Sequence, residues 1–496
     1  MRKIFFCAVG IILGAAVSYT QNISDIVRWS DTRLIGSGRT AGVSNSFGAM
    51  GGDFASAHLN PAGIGDYKKG EFVFSPLVLT QNTNSYLKKD KANGEVDKLN
   101  RFAVSNVGIV IGNFRPDKKF TSTNFAFGIS RTADLNQNFY FKGKTEGTIT
   151  EMFAERANGL SPDNLDEFVA YPAYYTGAIL DANGDRNYET DFSQNDLLVT
   201  KEQTVRQRGH VHTISASWAG EFRQKFNFGI SVGVPLATFT ELKTYRESDP
   251  ENEIATFNHL NYIERLNTSG YGFDTKIGIL YKGIRFLRIG ASFHTPTWYI
   301  LTDDYSTSLE YSFLNETYTY PENPDEAVQG NFKYKITTPW RASGSIGLVF
   351  NQGDLRGFVN ADVIYSDFSS AQYDGTAFSD NPDEINYTNE INREIINKLQ
   401  ANSTINVGGE LAYKNARCRI GYSNFGSPFL VESSRNAGFA GGMGFRDDGF
   451  FMDAGFQWRT YNQGYNAYTV TDALRDPLVI VKQNMLIFVL TAGFKF

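Results

Sequence analysis

The chain has 496 residues but only two cysteines, Cys7 and Cys418. If the N-terminus is cleaved after export, a single thiol remains and no internal disulfide can form. No stretch beyond the first twenty residues approaches the roughly 18 consecutive apolar residues of a membrane helix. That excludes helical spans but not a transmembrane barrel, whose lipid-facing and lumen-facing residues alternate. Basic charge is also short: the net charge is −6, against the basic face that nucleic-acid binding needs and without a general polybasic attraction to lipid. Histidine is sparse, at five residues. What is abundant is glycine, 47 residues, and aromatic side chains, 14% of the chain, a composition of many strands and turns. Length alone suggests about three domains, although barrels often run long as one.

The first twenty residues read as a signal peptide. Arg2 and Lys3 give a positive start, Ile4 to Ala16 an apolar core, and Ala16 and Ser18 small residues before a cleavage site near Ser18 to Thr20. The apolar run is too short for an anchor helix. Cys7 lies too deep within it for a lipoprotein cysteine.

Period-two alternation recurs through the rest. Phe226, Phe228, Ile230, Val232 and Val234 share one face, with Asn227, Gly229, Ser231 and Gly233 on the other. Ile346, Leu348 and Phe350 oppose Ser345 and Gly347; Phe450, Met452, Ala454, Phe456 and Trp458 oppose Asp453 and Gln457. Such strands put an apolar face against a protein core or a bilayer. A soluble sandwich or propeller satisfies the first option. The linkers favour the second: short turns at Gln224–Lys225, Gly283–Ile284, Gly353–Asp354, Asn415–Ala416 and Asp447–Asp448 alternate with much longer segments. The chain ends on Leu486, Phe488, Leu490, Ala492, Phe494 and Phe496 at every second position, with Phe494 and Phe496 in the place of the signal that barrel-assembly machinery reads. The expectation is an all-β fold: a transmembrane antiparallel β-barrel of about 14 strands over residues 70–496, with candidates from 70–79 through 484–496 and both termini on the periplasmic side.

Residues 134–208 and 373–402 break the alternation and read as long, polar extracellular loops, the second acidic and amide-rich from Asp380 to Asn392. Residues 21–69 precede the first strand, are Gly-rich from Gly36 to Gly65, and must lie outside the cylinder or inside it as a hatch (plug). Within the first insertion, Asp181, Asn183, Asp185 and Asn187 alternate like part of a calcium loop. Phe192 stands where the acidic twelfth ligand belongs and Arg186 where Gly belongs, so a polar exposed loop is expected. His210 and His212 share a strand face without an evident third metal ligand, so a solvated or interfacial pair is expected. No nucleophile motif is present. We expect no enzyme, no metal and no cofactor.

The most distinctive stretch is Gly42-Val-Ser-Asn-Ser-Phe-Gly-Ala-Met-Gly-Gly-Asp53, followed by Asn60-Pro61-Ala62-Gly63. A phosphate loop lacks its Lys-Ser/Thr and its strand and helix here. The stretch resembles the N-terminal hatch of the FadL family, the long-chain fatty-acid and hydrocarbon channels that include TodX, in which an Asn-Pro-Ala motif matches Asn60, Pro61 and Ala62. Leu287 to Pro296, Thr338 to Arg341 with Asp362 to Ser370, and Arg419 to Tyr422 with Ser427-Pro428 resemble later hairpins of that family in the same order, from about residue 30 to 496. The resemblance is closest to the branch common in Bacteroidetes. The insertion at 134–208 departs from it, which leaves the outer ligand-capture surface undefined.

The resemblance implies passive uptake of hydrophobic molecules such as long-chain fatty acids across the bacterial outer membrane, with hatch movement and lateral release through the wall. It implies Gly51, Gly52, Asn60, Pro61, Ala62 and Gly63 as hatch and gating residues, and leaves ligand-contacting residues open. Expected partners are outer-membrane lipid and lipopolysaccharide, a hydrophobic small-molecule ligand and the barrel-assembly machinery. The alternative is a FadL-like barrel that binds or shuttles exported proteins with secretion-system (type IX) components. A membrane lipase is a third class, for which no catalytic residues are evident.

Overall fold

The structure is a computed structural model that describes residues 20–190, 198–251, 253–254, 256–323, 326–379, 382–430 and 436–496. Residues 1–19 of the expected signal peptide, with Cys7, lie outside the described residues, as do Phe192 and Asp380.

Alternating, half-apolar segments cannot leave a ladder edge in hydrocarbon, so they close on themselves. Among the described residues, nineteen strand segments form one sheet, whose last strand, Leu478–Lys495, pairs antiparallel with the first, Glu71–Leu87. Several segments continue one another as single staves: Phe120–Asp134 with Gln137–Thr145, Leu287–His294 with Trp298–Phe313, Glu316–Tyr320 and Gly330–Thr337 with Arg341–Gln352, and Leu355–Asp367 with Gln372–Asp374. The ring thus has 14 staves, as the alternation predicts. Strands such as Phe226–Ser248 and Val199–Phe222 run several residues further at one end than the alternation alone suggests, because polar residues continue the ladder past the apolar stretch.

The outward face is apolar. Phe228, Ile230, Val232 and Val234 are each between 37% and 40% exposed, whereas Asn227 and Ser231 between them are fully buried. Asp453 and Gln457 likewise point inward between exposed Met452, Phe456 and Trp458. Aromatic contacts such as Phe450–Phe494 and Phe226–Tyr281 edge this belt at the short-turn end. Phe293–Trp340–Tyr365 edges it toward the other end, as in the girdles of membrane barrels.

Short turns and the C-terminus share one end. One turn differs from expectation: the strand runs through Ile284, so the turn is at 285–286 rather than Gly283–Ile284. The long-loop end is built up rather than loose. The region 134–208 is not one loop: Gln137–Thr145 and Val199–Phe222 extend two staves, and the described residues between them, 146–190, pack against several staves at the opening. There, helix Ile149–Ala157, capped by the Thr148 side chain on Thr150 N, buries Ile149, Met152 and Phe153 among Phe139, Phe141 and Tyr262. Asp181 and Asp185 accept backbone N–H groups of their own turn, at 3.1 Å from Asp185 and 2.9 Å from Asn187. In 373–402, the helix Pro382–Lys398 buries Ile391 and Ile395 against Ile23, Ile26 and Trp29.

Candidate functional site

Residues 35–65 are mostly buried and make contacts all round the ring. Gly38 N donates to Thr491 Oγ1 (2.8 Å), Ser46 Oγ to Asn360 O (2.9 Å), and Phe47 N to Asp362 (2.9 Å). Ser122 Oγ donates to Gly65 O, and Asn124 Nδ2 to Ile64 O (2.8 Å). Two ionic anchors add to these. Arg39 clasps Glu410 through two 3.0 Å bonds, and Glu410 is shared with Arg419, which also holds Asp453 at 2.6 Å. Asp66 meets Lys282 and, at 3.1 Å, Arg288. Burial would raise the Asp66 carboxyl, but these two cations outweigh it and hold it below its ordinary range.

The Asn-Pro-Ala motif lies at the centre of this packing. Asn60 caps the short 3₁₀ helix Pro61–Asp66, accepting from Ala62 N at 3.2 Å, with Pro61 at the first helical position, where no N–H is needed. The other end of the Asn60 amide donates to Gly48 O (2.7 Å) and to the wall carbonyl of Ile279 (3.2 Å). Gly52 N donates to Gly63 O at 3.1 Å, and Gly52 has φ +70°, which favours glycine. The structure therefore brings all six of Gly51, Gly52, Asn60, Pro61, Ala62 and Gly63 together. It adds residues that the sequence reading missed: a Cβ at Gly278 would overlap Asn60 Oδ1, and one at Gly229 the Pro61 carbonyl. Their only sequence signal is glycine at inward positions of alternating strands.

The helix Thr20–Ser30 continues from this segment toward the long-loop end rather than the short-turn end. Its buried Ile23, Ile26 and Trp29 rest on Val211, Phe239 and Leu301. The described chain therefore starts nearer the long-loop end and finishes at the short-turn end, whereas both termini were expected on one side: the helix follows its apolar stripe to apolar wall residues. Arg341 caps its C-terminal end by donating to Ser30 O and, at 3.0 Å, to Thr32 O. On the long-loop side lies a cavity of about 1280 Å³ with a mixed wall: Ile26, Phe139, Phe239, Tyr262 and Met485 are among its apolar members, and Arg28, Glu241, Lys243, Glu264, Asp303 and Arg459 among its charged ones. Asp31 and Arg33 line this cavity and also a smaller one of about 190 Å³ that holds His58, Lys276 and His294.

The large cavity reaches a break in the wall. The ladder between Asp90–Ile111 and Phe120–Asp134 ends at Asn106 and Ser130. Beyond it the third stave slips register between Arg131 and Ala133, bends, and pairs on one side only. Asn136 fixes the bend by exchanging two 3.1 Å hydrogen bonds with the backbone of Gly209, while Arg131 holds Asp134 at 2.7 Å. Residues 133–137 line the cavity at this seam. Sequence reading saw only that alternation stopped near residue 131.

His210 and His212 lie side by side on the outward face, ring centroids 4.3 Å apart. Cys418 is exposed, and Phe496 N donates to Gly70 O at 3.0 Å.

No family model and no curated protein sequence matches the chain. Solved structures do. A FadL homologue of Pseudomonas aeruginosa superposes with TM-score 0.51 at 11% identity over 94% of this chain and 98% of its own. The toluene transporter TodX of Pseudomonas putida gives 0.52 at 11% identity, covering 94% and 99%. A closed ring of 14 staves, matched along nearly its whole length to both proteins, gives this chain the fold of the FadL-type transporters.

Proposed function

We propose that the protein is an outer-membrane channel for passive passage of small hydrophobic molecules. The observation that carries this is the large cavity, lined by aromatic and aliphatic side chains interspersed with charged ones, that reaches an unzipped seam in the barrel wall. In this reading the long-loop end faces outward and the short turns face the periplasm, as in bacterial barrels. A ligand enters the cavity beneath the folded cap and leaves sideways at the seam near Asn136, avoiding the water that fills a straight pore. Residues 21–69 act as a hatch that closes the lumen, with Asn60 and Pro61 setting how readily it shifts. Two solved structures of the same fold are a FadL homologue and a toluene transporter, which supports this class of cargo. Within it, long-chain fatty acids and monoaromatics are the two substrates to compare.

Uptake of labelled oleate and of toluene by a deletion strain, with and without the restored gene, tests the reading. Loss of uptake of either compound, restored by the gene, is expected. Normal uptake of both, together with loss of exported surface proteins, would replace the channel by the secretion-partner reading.

A further inference from the structure

The outward surface of the barrel carries a basic patch that transport through the lumen does not use. Along Val199–Phe222 the outward residues run Arg206, Arg208, His210, His212, Ile214 and, further down, Trp218. Ile214 and Trp218, 50% and 36% exposed, belong to the apolar belt. The belt therefore ends at Ile214, and the cationic groups begin within the next few residues. Register extends the patch sideways: Arg206 faces Leu242, and Leu242 faces Arg265. Arg206 and Arg265 are thus level with each other two strands apart, roughly 10 Å. The neighbouring outward positions Thr238, Thr240, Asn267 and Ser269 are neutral and exposed.

Among the described residues, none of Arg206, Arg208 and Arg265 has a carboxylate partner. Arg208 donates only to Asn138 Oδ1 (2.5 Å) and the Gln207 carbonyl (2.7 Å). Arg101, from across the seam, adds its positive field to Arg208 and His210, and its own Nη1 is buried without a partner; Asp97 beside it offsets part of that field at Arg208, and Asp134 part of it at His210. Nearby acids are engaged. Asp304 accepts from Asn331 (2.7 Å), Asp134 is held by Arg131, and Glu202 is shared by Tyr140, Lys142 and Arg246. Cations at one edge that outnumber the acids beside them and are not paired with carboxylates repel one another, an anion that joins them relieves that cost, and guanidinium groups suit phosphate oxygens best.

We propose that this patch binds the phosphates of a glycolipid in the leaflet at the long-loop end, a phosphorylated lipid A. Its acyl chains would lie on Ile214, Trp218, Leu236 and Tyr271, and its headgroup at the height of the arginines. The separation of Arg206 and Arg265 suits two phosphates on one disaccharide. The proposal rests on the assignment of the long-loop end to the outer face.

The test uses the full-length protein purified in detergent, with bisphosphorylated and fully dephosphorylated lipid A compared by native mass spectrometry. The protein should retain the bisphosphorylated form selectively, and raised salt should weaken it. The triple variant Arg206→Gln/Arg208→Gln/Arg265→Gln, checked for heat-modifiable folding, should bind on the order of 100-fold more weakly. Arg285→Gln, a basic residue removed at the short-turn end, should bind normally. Equal retention by the triple variant, equal binding of dephosphorylated lipid A, or displacement by equimolar oleate or inorganic phosphate would overturn the proposal. Oleate and toluene passage into liposomes is measured on the same preparation. Absence of lipid selectivity in the unaltered protein with passage intact removes the patch alone, and absence of both removes the channel reading as well.

Discussion

At the scale of single residues, the N-terminal segment is held by side chains that serve two masters. Asn60 caps its own helix and ties it to the wall at Ile279. Asn60→Ala would leave the Gly48 and Ile279 carbonyls short of a donor, a local loss of about 1–3 kcal/mol. The expected outcome is near-normal barrel assembly, faster hydrogen exchange over residues 44–66 and slower uptake of hydrophobic substrate; exchange and uptake at wild-type rates would count against a gating role. His58 offers a pH test. It is buried, neither ring nitrogen has a partner, and burial followed by the Lys276 ammonium pushes its pKa down to about 3. Asp274, His294 and Arg341 line the same cavity. Between pH 6.5 and 3 the released segment binds a proton that the docked one refuses. Docking is therefore at full strength above pH 6.5 and weakens as pH falls, by roughly 2 kcal/mol at pH 5. Exchange over residues 44–66, corrected for intrinsic rate, should quicken at pH 5 relative to pH 7.5. His58→Leu should remove most of that difference.

At the scale of elements, the segment 21–69 is too small to bury its own core. Its Phe47 and Phe54 are 1% exposed because the wall surrounds them. Deleting residues 25–66 should leave a folded barrel whose conductance to ions and small polar solutes rises in planar bilayers. Unchanged conductance of a folded barrel would reject the plug. The last strand, Leu478–Lys495, closes the ring, and Phe494 packs on Phe450 with rings 5.2 Å apart. Phe496, 66% exposed on the belt, lies against Gly70. Phe496→Asp places a charge at the end of the apolar outward face, the position expected to carry the assembly signal. Heat-modifiable barrel in the outer membrane should fall sharply, whereas Phe496→Tyr should assemble normally.

At the scale of the whole molecule, the two ends of the cylinder differ in chemistry. One carries turns of two or three residues and a single longer linker, 112–119. The other carries a folded cap whose core includes Phe153, Tyr262 and Tyr311. If the cap is extracellular, protease added to intact cells should cut within 146–198, and the barrel should stay in the membrane. Cutting only after the outer membrane is opened would reverse the orientation. The folded core of the cap also sets where cleavage falls: at the exposed turn around Gly184 and Asp185 rather than in the helix Ile149–Ala157.

The strands were legible because lipid imposes its demand residue by residue. Phe228, Ile230 and Val232 must be apolar whatever their neighbours are, and a period of two records that directly. The Asn60-Pro61 turn was legible for the same local reason, since capping and a fixed φ are properties of adjacent residues. The rest depended on contacts distant in sequence. Nothing near Gly229 or Gly278 announces that Pro61 and Asn60 press on them, and nothing near Asn136 announces Gly209. The insertion at 134–208 looked polar throughout because its extended staves and cap bury Phe141 and Ile179 only when the opposite wall is present. Sequence alone determined that a cylinder forms and which face meets lipid. Tertiary structure decided where the wall opens, how the first helix climbs inside it, and that a chain of net charge −6 concentrates arginines above its apolar belt, because each of these depends on which strands the closed ring makes neighbours.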